Sequence, residues 1–260
     1  MRIETRNGSY WVEEYGKTGG IPVVLLHGFT GSSATWYPFI PYLNEYRIIL
    51  IDLPGHRYTN VQINSMKDFC DDLDYLLTQL NIAKANVVGY SLGGRTALSF
   101  AIYYPDRVNG MLLESATAGI ELEEERIERQ QSDEKLASFI EHRGLEAFVD
   151  RWQNIPLFQT QKSLPNAVKE AIRKERLAHS VDGLALSLRT MGTGQMPSWW
   201  SKLAMIQVPV QLVAGGLDHK FVHLNQQMAK LLPNSSFMKV EDAGHAIHVE
   251  EPAFVGTIIK

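Results

Sequence analysis

Three residues, Ser91, Asp218 and His245, have the types and the chain order needed to activate a hydroxyl group by proton relay. Ser91 lies in Gly89-Tyr90-Ser91-Leu92-Gly93-Gly94. Small residues at the glycine positions of such a G-x-S-x-G turn let a strained serine project into a cleft, provided that a strand precedes it and a helix follows. A serine hydroxyl is a weak nucleophile and a weak base alone, so it needs a histidine to take its proton and a carboxylate to orient that histidine. Asp218 follows the apolar run Val210 to Ala214, and His245 follows the next predicted strand in Asp242-Ala-Gly-His245-Ala-Ile-His248. His248 competes for the histidine role but falls at a helix start, where a structural hydrogen bond is expected of it. Backbone donors for a developing oxyanion are expected at Leu92, after the serine, and at Phe29, in the loop His27-Gly28-Phe29-Thr30-Gly31. The segment Asp52-Leu-Pro-Gly-His56 reads as a structural turn without chemistry.

Positioning these groups takes strands that end at a common edge. Short β-branched runs alternating with helical periods predict βαβ units. The expected strands are Arg2 to Arg6, Ser9 to Tyr15, Ile21 to Leu26, Tyr46 to Asp52, Ala85 to Tyr90, Gly110 to Ser115, Val208 to Ala214 and Ser236 to Glu241. Asn7-Gly8 predicts a tight turn that makes the first two an antiparallel hairpin. The near-continuous apolar runs at Ile21 to Leu26 and Ile48 to Ile51 suit strands covered on both faces. Between Met66 and Leu80, apolar residues recur at spacings of three and four, and Cys70 falls on that stripe as a packing thiol. Further helices are expected after Ser91, near Val222 to Leu231 and from about Pro252. The face of the last one stops at Lys260 after barely two turns, so the natural chain is expected to continue a little further. From about 116 to 200 the alternation gives way to a charge-rich helical insertion. The expectation is an α/β fold with a mostly parallel eight-stranded sheet, flanked by helices and carrying a helical lid, as a single domain over 1–260.

The 260 residues carry 25 Lys plus Arg against 29 Asp plus Glu, a net charge of −4 without a basic run, which argues against nucleic acid or an anionic membrane as partner. One cysteine excludes an intrachain disulfide framework and every multi-cysteine metal site, so no metal is expected. No apolar stretch resembles a signal peptide or reaches the roughly 18 residues of a membrane helix. A cytoplasmic protein, monomeric or weakly homo-oligomeric, is expected.

The loop His27-Gly28-Phe29, the turn Asp52 to His56, the elbow at Ser91, and Asp218 with His245 resemble the α/β-hydrolase family over nearly the whole chain. More specific segments are Gly89 to Arg95, Leu113 to Gly119, Arg129-Gln-Gln-Ser-Asp133, Trp152 before Pro156-Leu-Phe158, Leu188 to Trp199 and Gly215 to Phe221. Together they are similar to the 2-succinyl-6-hydroxy-2,4-cyclohexadiene-1-carboxylate synthases of menaquinone biosynthesis. The resemblance implies a cofactor-free lyase that removes pyruvate from 2-succinyl-5-enolpyruvyl-6-hydroxy-3-cyclohexene-1-carboxylate by a 2,5-elimination, with the serine as base. It implies the triad Ser91, Asp218 and His245, the oxyanion amides of Phe29 and Leu92, and substrate contacts at Tyr90, Arg95, Arg129, Trp152 and Arg176. Arg173, one turn from Arg176, competes for the last position.

Guanidinium groups suit the three carboxylates of the implied substrate. Seven arginines lie in the insertion, and most are expected on its solvated face, with Glu125 and Arg129 at i,i+4 and Glu123 and Arg126 at i,i+3 as available pairs. Arg95 differs, because one turn beyond the nucleophile an unpaired cation makes sense only if it meets an anion. Trp152 suits either a pocket wall or the lid's own packing. Arg57 stands where many relatives have a small residue. The rival readings are a serine esterase or carbon-carbon bond hydrolase with the same triad, and a non-catalytic receptor on the same scaffold.

Overall fold

The computed structural model describes residues 1–259; the expected continuation past Lys260 lies outside them. Nine strands form one sheet: β1 (Arg2–Thr5), β2 (Gly8–Gly16), β3 (Ile21–Leu26), β4 (Tyr46–Ile51), β5 (Asn60–Val61), β6 (Ala85–Tyr90), β7 (Val108–Glu114), β8 (Val210–Gly215) and β9 (Ser235–Val240). Eight run in the order β1-β2-β4-β3-β6-β7-β8-β9, antiparallel at β1 and β2 and parallel from β4 to β9. The ninth, β5, pairs two residues with Gly8 and Ser9 and is too short to leave a periodic signal. The hairpin turns at Arg6 and Asn7, one residue earlier than the expected Asn7-Gly8, and Gly8 opens β2 opposite Thr5 with φ +126.

The apolar runs are explained by two-sided burial. In β3, Val24 and Leu26 join a core layer with Phe69, Leu73 and Phe100, whereas Val23 and Leu25 join the opposite layer with Trp36, Phe39 and Ile247. Ile49 and Ile51 of β4 alternate with Ile48 and Leu50 in the same way. Cys70 is buried in the first layer, and burial pushes its thiol pKa up, which leaves it inert.

Helix α1 (Met66–Gln79) starts at Ser65, whose hydroxyl accepts the Asp68 N–H, and α2 (Leu92–Tyr103) starts at Ser91. An eleven-residue 3-10 segment, Ser33–Leu43, carries Pro38 and Pro41, and these prolines hide it from a helical reading of the sequence. Between β7 and β8 lie α3 (Glu123–Trp152, broken at Gly144 with φ +81), the 3-10 turn Pro156–Ser163, α4 (Asn166–Arg176) and α5 (Val181–Met191). These lid segments have their own core of Ala137, Ile140, Phe148, Val149, Leu184, Ala185 and Leu188. Helix α6 (His219–Leu231) begins three residues before the predicted helix because Asp218 caps it. The chain then passes through α7 (Ile247–Glu250) to α8 (Pro252–Ile258). No described helix is long and apolar enough to cross a membrane.

Polar ties fasten the lid to the sheet domain. Glu175 of α4 accepts the hydroxyls of Ser32 at 2.7 Å and Thr35 at 2.9 Å. Glu250 of α7 accepts the Thr160 hydroxyl at 2.9 Å and the Gly244 N–H at 2.7 Å.

Backbone packs closely under α2, where a Cβ on Gly93 would stand 2.0 Å from the Leu26 carbonyl oxygen. Gly93→Ala is therefore expected to destabilise the fold by about 3 kcal/mol, read from the midpoint of urea unfolding.

Candidate active site

Helix α2 must leave β6 at a sharp angle, and the chain achieves this by holding Ser91 at φ +49 and ψ −102. A non-glycine residue in that region is strained, and the surroundings must fix it there. Ser91 N–H donates to the Glu114 carbonyl at 2.8 Å, and Gly89 and Gly93 pack with no room for side chains.

The carboxyl ends of β8 and β9 bring in the partners. Asp218 Oδ2 lies 2.7 Å from His245 Nδ1, and its Oδ1 accepts the Phe221 N–H at 3.3 Å. His245 Nε2 lies 3.1 Å from Ser91 Oγ. With the carboxylate on Nδ1–H, Nε2 is left as acceptor for the serine proton, the tautomer a base needs. The Phe221 ring stands 4.6 Å from the imidazole and the Tyr90 ring 5.4 Å. His245 is buried, so water competes little for either bond.

His248 is engaged elsewhere. Its Nδ1 lies 2.8 Å from Glu114 Oε1, its backbone N–H donates to the same oxygen, and its ring packs on Tyr90 and Trp36. Glu114 is a buried partner that sequence reading missed, since it ends a strand with nothing around it to mark it.

The amides of Phe29 and Leu92 meet no acceptor among the described residues. A Cβ on Gly28 would strike the Tyr90 ring at 2.4 Å, and Thr30 takes φ +69. Three buried histidines hold this loop. His27 Nε2 accepts the Leu53 N–H, His56 Nε2 accepts the Thr30 N–H, and His179 accepts the Arg57 N–H while donating to the Thr30 carbonyl. Burial lowers their pKa values, to about 3 for His27 and about 4 for His179. Asp52 accepts the Ser33 N–H and hydroxyl, the structural work expected of its turn. Arg57 takes φ +44, and its Nη1 donates to Ser32 Oγ at 3.3 Å.

Ser91, His245, Phe29, Leu92, Tyr90, Arg95, Arg129 and Trp152 line one cavity of about 1240 Å³ between the sheet edge and the lid; Asp218 stands behind His245. Trp152 stacks on Phe148 and meets Phe29 edge-on at 5.4 Å, so it belongs both to the lid's packing and to the wall.

Arg95 is buried without a carboxylate partner. Its Nη1 donates to the Met191 carbonyl at 2.8 Å, and burial, with Arg129 nearby, lowers its pKa to about 9. Arg129 pairs with Asp133 at 2.8 Å and not with Glu125, the partner expected from the sequence. Asp133 is buried whereas Glu125 is exposed, and charge pairs strengthen away from water. Glu123 and Arg126 approach to 3.9 Å as expected.

Of the two rival arginines, Arg173 faces solvent and pairs with Asp150 at 2.5 Å, and Arg176 points inward. Arg176 nevertheless does not line the cavity. Its guanidinium lies 4.7 Å over the Phe158 ring and reaches Gln161 at 3.4 Å, and burial lowers its pKa. The Phe158 ring it covers does line the cavity.

The three histidines have a pH consequence. They stay neutral in the fold, whereas an unfolded histidine protonates below about pH 6.5. The unfolded state therefore binds more protons as pH falls, and stability drops by up to about 1.4 kcal/mol per pH unit per ring. The melting temperature should fall as pH is lowered from 6.5 towards 4, and less steeply in His179→Asn.

Residues 21–252 match the family model of the α/β hydrolase fold. A curated Bacillus subtilis (strain 168) protein that bears the name 2-succinyl-6-hydroxy-2,4-cyclohexadiene-1-carboxylate synthase is 44% identical over 255 residues, covering 96% of this chain and 93% of its own. The solved structure of MenH from S. aureus superposes with a TM-score of 0.91 at 36% identity, covering 98% of this chain and 97% of that one. A thermophilic esterase from Thermogutta terrifontis superposes at 0.88 with 26% identity, over 100% and 96% of the two chains.

Proposed function

Since the chain belongs to the α/β-hydrolase fold family and, within it, to the 2-succinyl-6-hydroxy-2,4-cyclohexadiene-1-carboxylate synthases, we propose that it forms that product by eliminating pyruvate from 2-succinyl-5-enolpyruvyl-6-hydroxy-3-cyclohexene-1-carboxylate. Ser91 Oγ takes the proton from the ring carbon that bears the succinyl group as His245 Nε2 accepts the serine's own proton. Electrons released at that carbon shift through the ring alkene, and the bond from carbon 5 to the enolpyruvyl oxygen breaks. The leaving group takes up a proton and becomes pyruvate. Charge that develops on the succinyl carbonyl during proton removal is met by the free amides of Phe29 and Leu92. Asp218 stabilises the imidazolium through the 2.7 Å contact.

The observation that carries this reading is Arg95. A buried guanidinium that forms no ion pair, in the cavity that holds Ser91, gains a direct counterion when a substrate carboxylate arrives. Arg129, half-exposed on the same wall, supplies a second cation. Tyr90 and Trp152 are proposed as further substrate contacts, and Arg176 as a cation acting through the Phe158 and Tyr90 layer.

Esterase chemistry is the second reading, favoured by the 0.88 superposition on an esterase; a triad with oxyanion amides would serve either chemistry. An ester needs no pair of arginines at its carbonyl, and this asymmetry favours the lyase.

Pyruvate release from substrate generated in place by a preceding enzyme, corrected for spontaneous decay, separates the two. The intact protein should accelerate it, and Ser91→Ala should lose on the order of 10³-fold in turnover. Simple esters turned over faster than the cyclohexene would instead establish the esterase. Arg95→Ala should lower kcat/KM for pyruvate release by roughly 10- to 150-fold, the loss of a charged hydrogen bond worth about 1.5 to 3 kcal/mol.

A further inference from the structure

Asp133 is a carboxylate in the wall of a cavity suited to carboxylates, and that is the anomaly to explain. It lies on α3 and is 4% exposed. Its Oδ1 accepts Arg129 Nε at 2.8 Å. Its Oδ2 is sealed from solvent without a donor, 2.6 Å from where a Cβ on Gly192 would stand. Such burial is costly. It also subtracts one charge from a site that would attract anions more strongly without it.

What Asp133 contributes is direction. A guanidinium donates along two edges, one formed by Nε with an Nη and one by the two Nη groups. Engaging Nε fixes the plane of Arg129 and leaves the terminal edge for a bidentate grip on another carboxylate. Without that anchor the long side chain has a competing partner in Glu125, one helical turn earlier and also on the cavity wall. Arg95 is fixed separately, by the Met191 carbonyl at the end of α5.

We infer that Asp133 is a positioning residue, holding Arg129 in the orientation from which it grips a substrate carboxylate. This inference rests on the proposed elimination from a polycarboxylate substrate.

The test is steady-state pyruvate release by the intact protein and by Asp133→Ala, Asp133→Asn and Arg129→Ala, alone and combined. Asp133→Ala should raise KM roughly 10- to 50-fold while kcat stays within about threefold, the pattern of lost substrate binding. Asp133→Asn keeps the volume and one acceptor oxygen, and should raise KM by only about three- to fivefold. In the Arg129→Ala background, Asp133→Ala should add less than about twofold, because the two residues act as one unit. An unchanged KM in both Asp133 variants, a fall in kcat alone, or a full multiplicative effect on top of Arg129→Ala overturns the inference. Asp133→Asn carries the decision if Asp133→Ala does not fold. An intact protein that releases no pyruvate overturns the functional reading itself, an outcome distinct from active enzyme with an indifferent Asp133.

Discussion

The turn at Ser91 is the constraint on which the rest of the molecule depends. A serine at φ +49 persists only if the strand below and the helix above cannot relax, and both are pinned by backbone-to-backbone approach. Gly93 sits on the Leu26 carbonyl, so the helix that presents Leu92 N–H is registered directly against the strand that leads to Phe29. The two proposed oxyanion donors are thus spaced by the packing of glycine on backbone, where no rotamer can drift. The His245 loop is set from the next strands along, and its imidazole is the element that bridges the two halves.

How much of this was legible in the sequence follows from the range over which each signal acts. Ile21 to Leu26 was readable to the residue, because a strand covered on both faces shows as a nearly continuous apolar run, and Ala85 to Tyr90 because the glycine-rich elbow marks where it ends. Ser91, Asp218 and His245 were marked by local turn chemistry after strands, and the chain brings them within hydrogen-bonding distance. The two-residue strand β5 and the proline-bearing 3-10 segment left no periodic trace. The lid residues were harder for another reason: a helix surface offers each arginine two partners at i±4, and only burial decides between them. Glu125 and Asp133 flank Arg129 symmetrically in sequence, but the fold dries one and wets the other. Arg173 and Arg176 were rival candidates in the sequence, and only the fold buries Arg176 over the Phe158 ring.

Electrostatics in the cavity follow a single logic of desolvation. Arg95 is held by a helix-terminal carbonyl, a weak counterpart for a buried cation, so it stays available to an anion. The histidines under the Phe29 loop have lost their charge to burial and serve as fixed donor-acceptor units. Charge is thus concentrated where a ligand can answer it and removed where only architecture is needed.

The ties of Glu175 to Ser32 and Thr35, and of Thr160 to Glu250 and through it to Gly244, give the lid an anchor beside the Phe29 loop and another beside the His245 loop. Lids in this architecture look like exchangeable cassettes, since they enter and leave the sheet between two strands. Here half of each fastening belongs to the acceptor scaffold, so the cassette is not self-contained. A graft of residues 116–200 onto a relative would arrive without its own latch plates, and would need Ser32, Thr35 and Glu250 to travel with it.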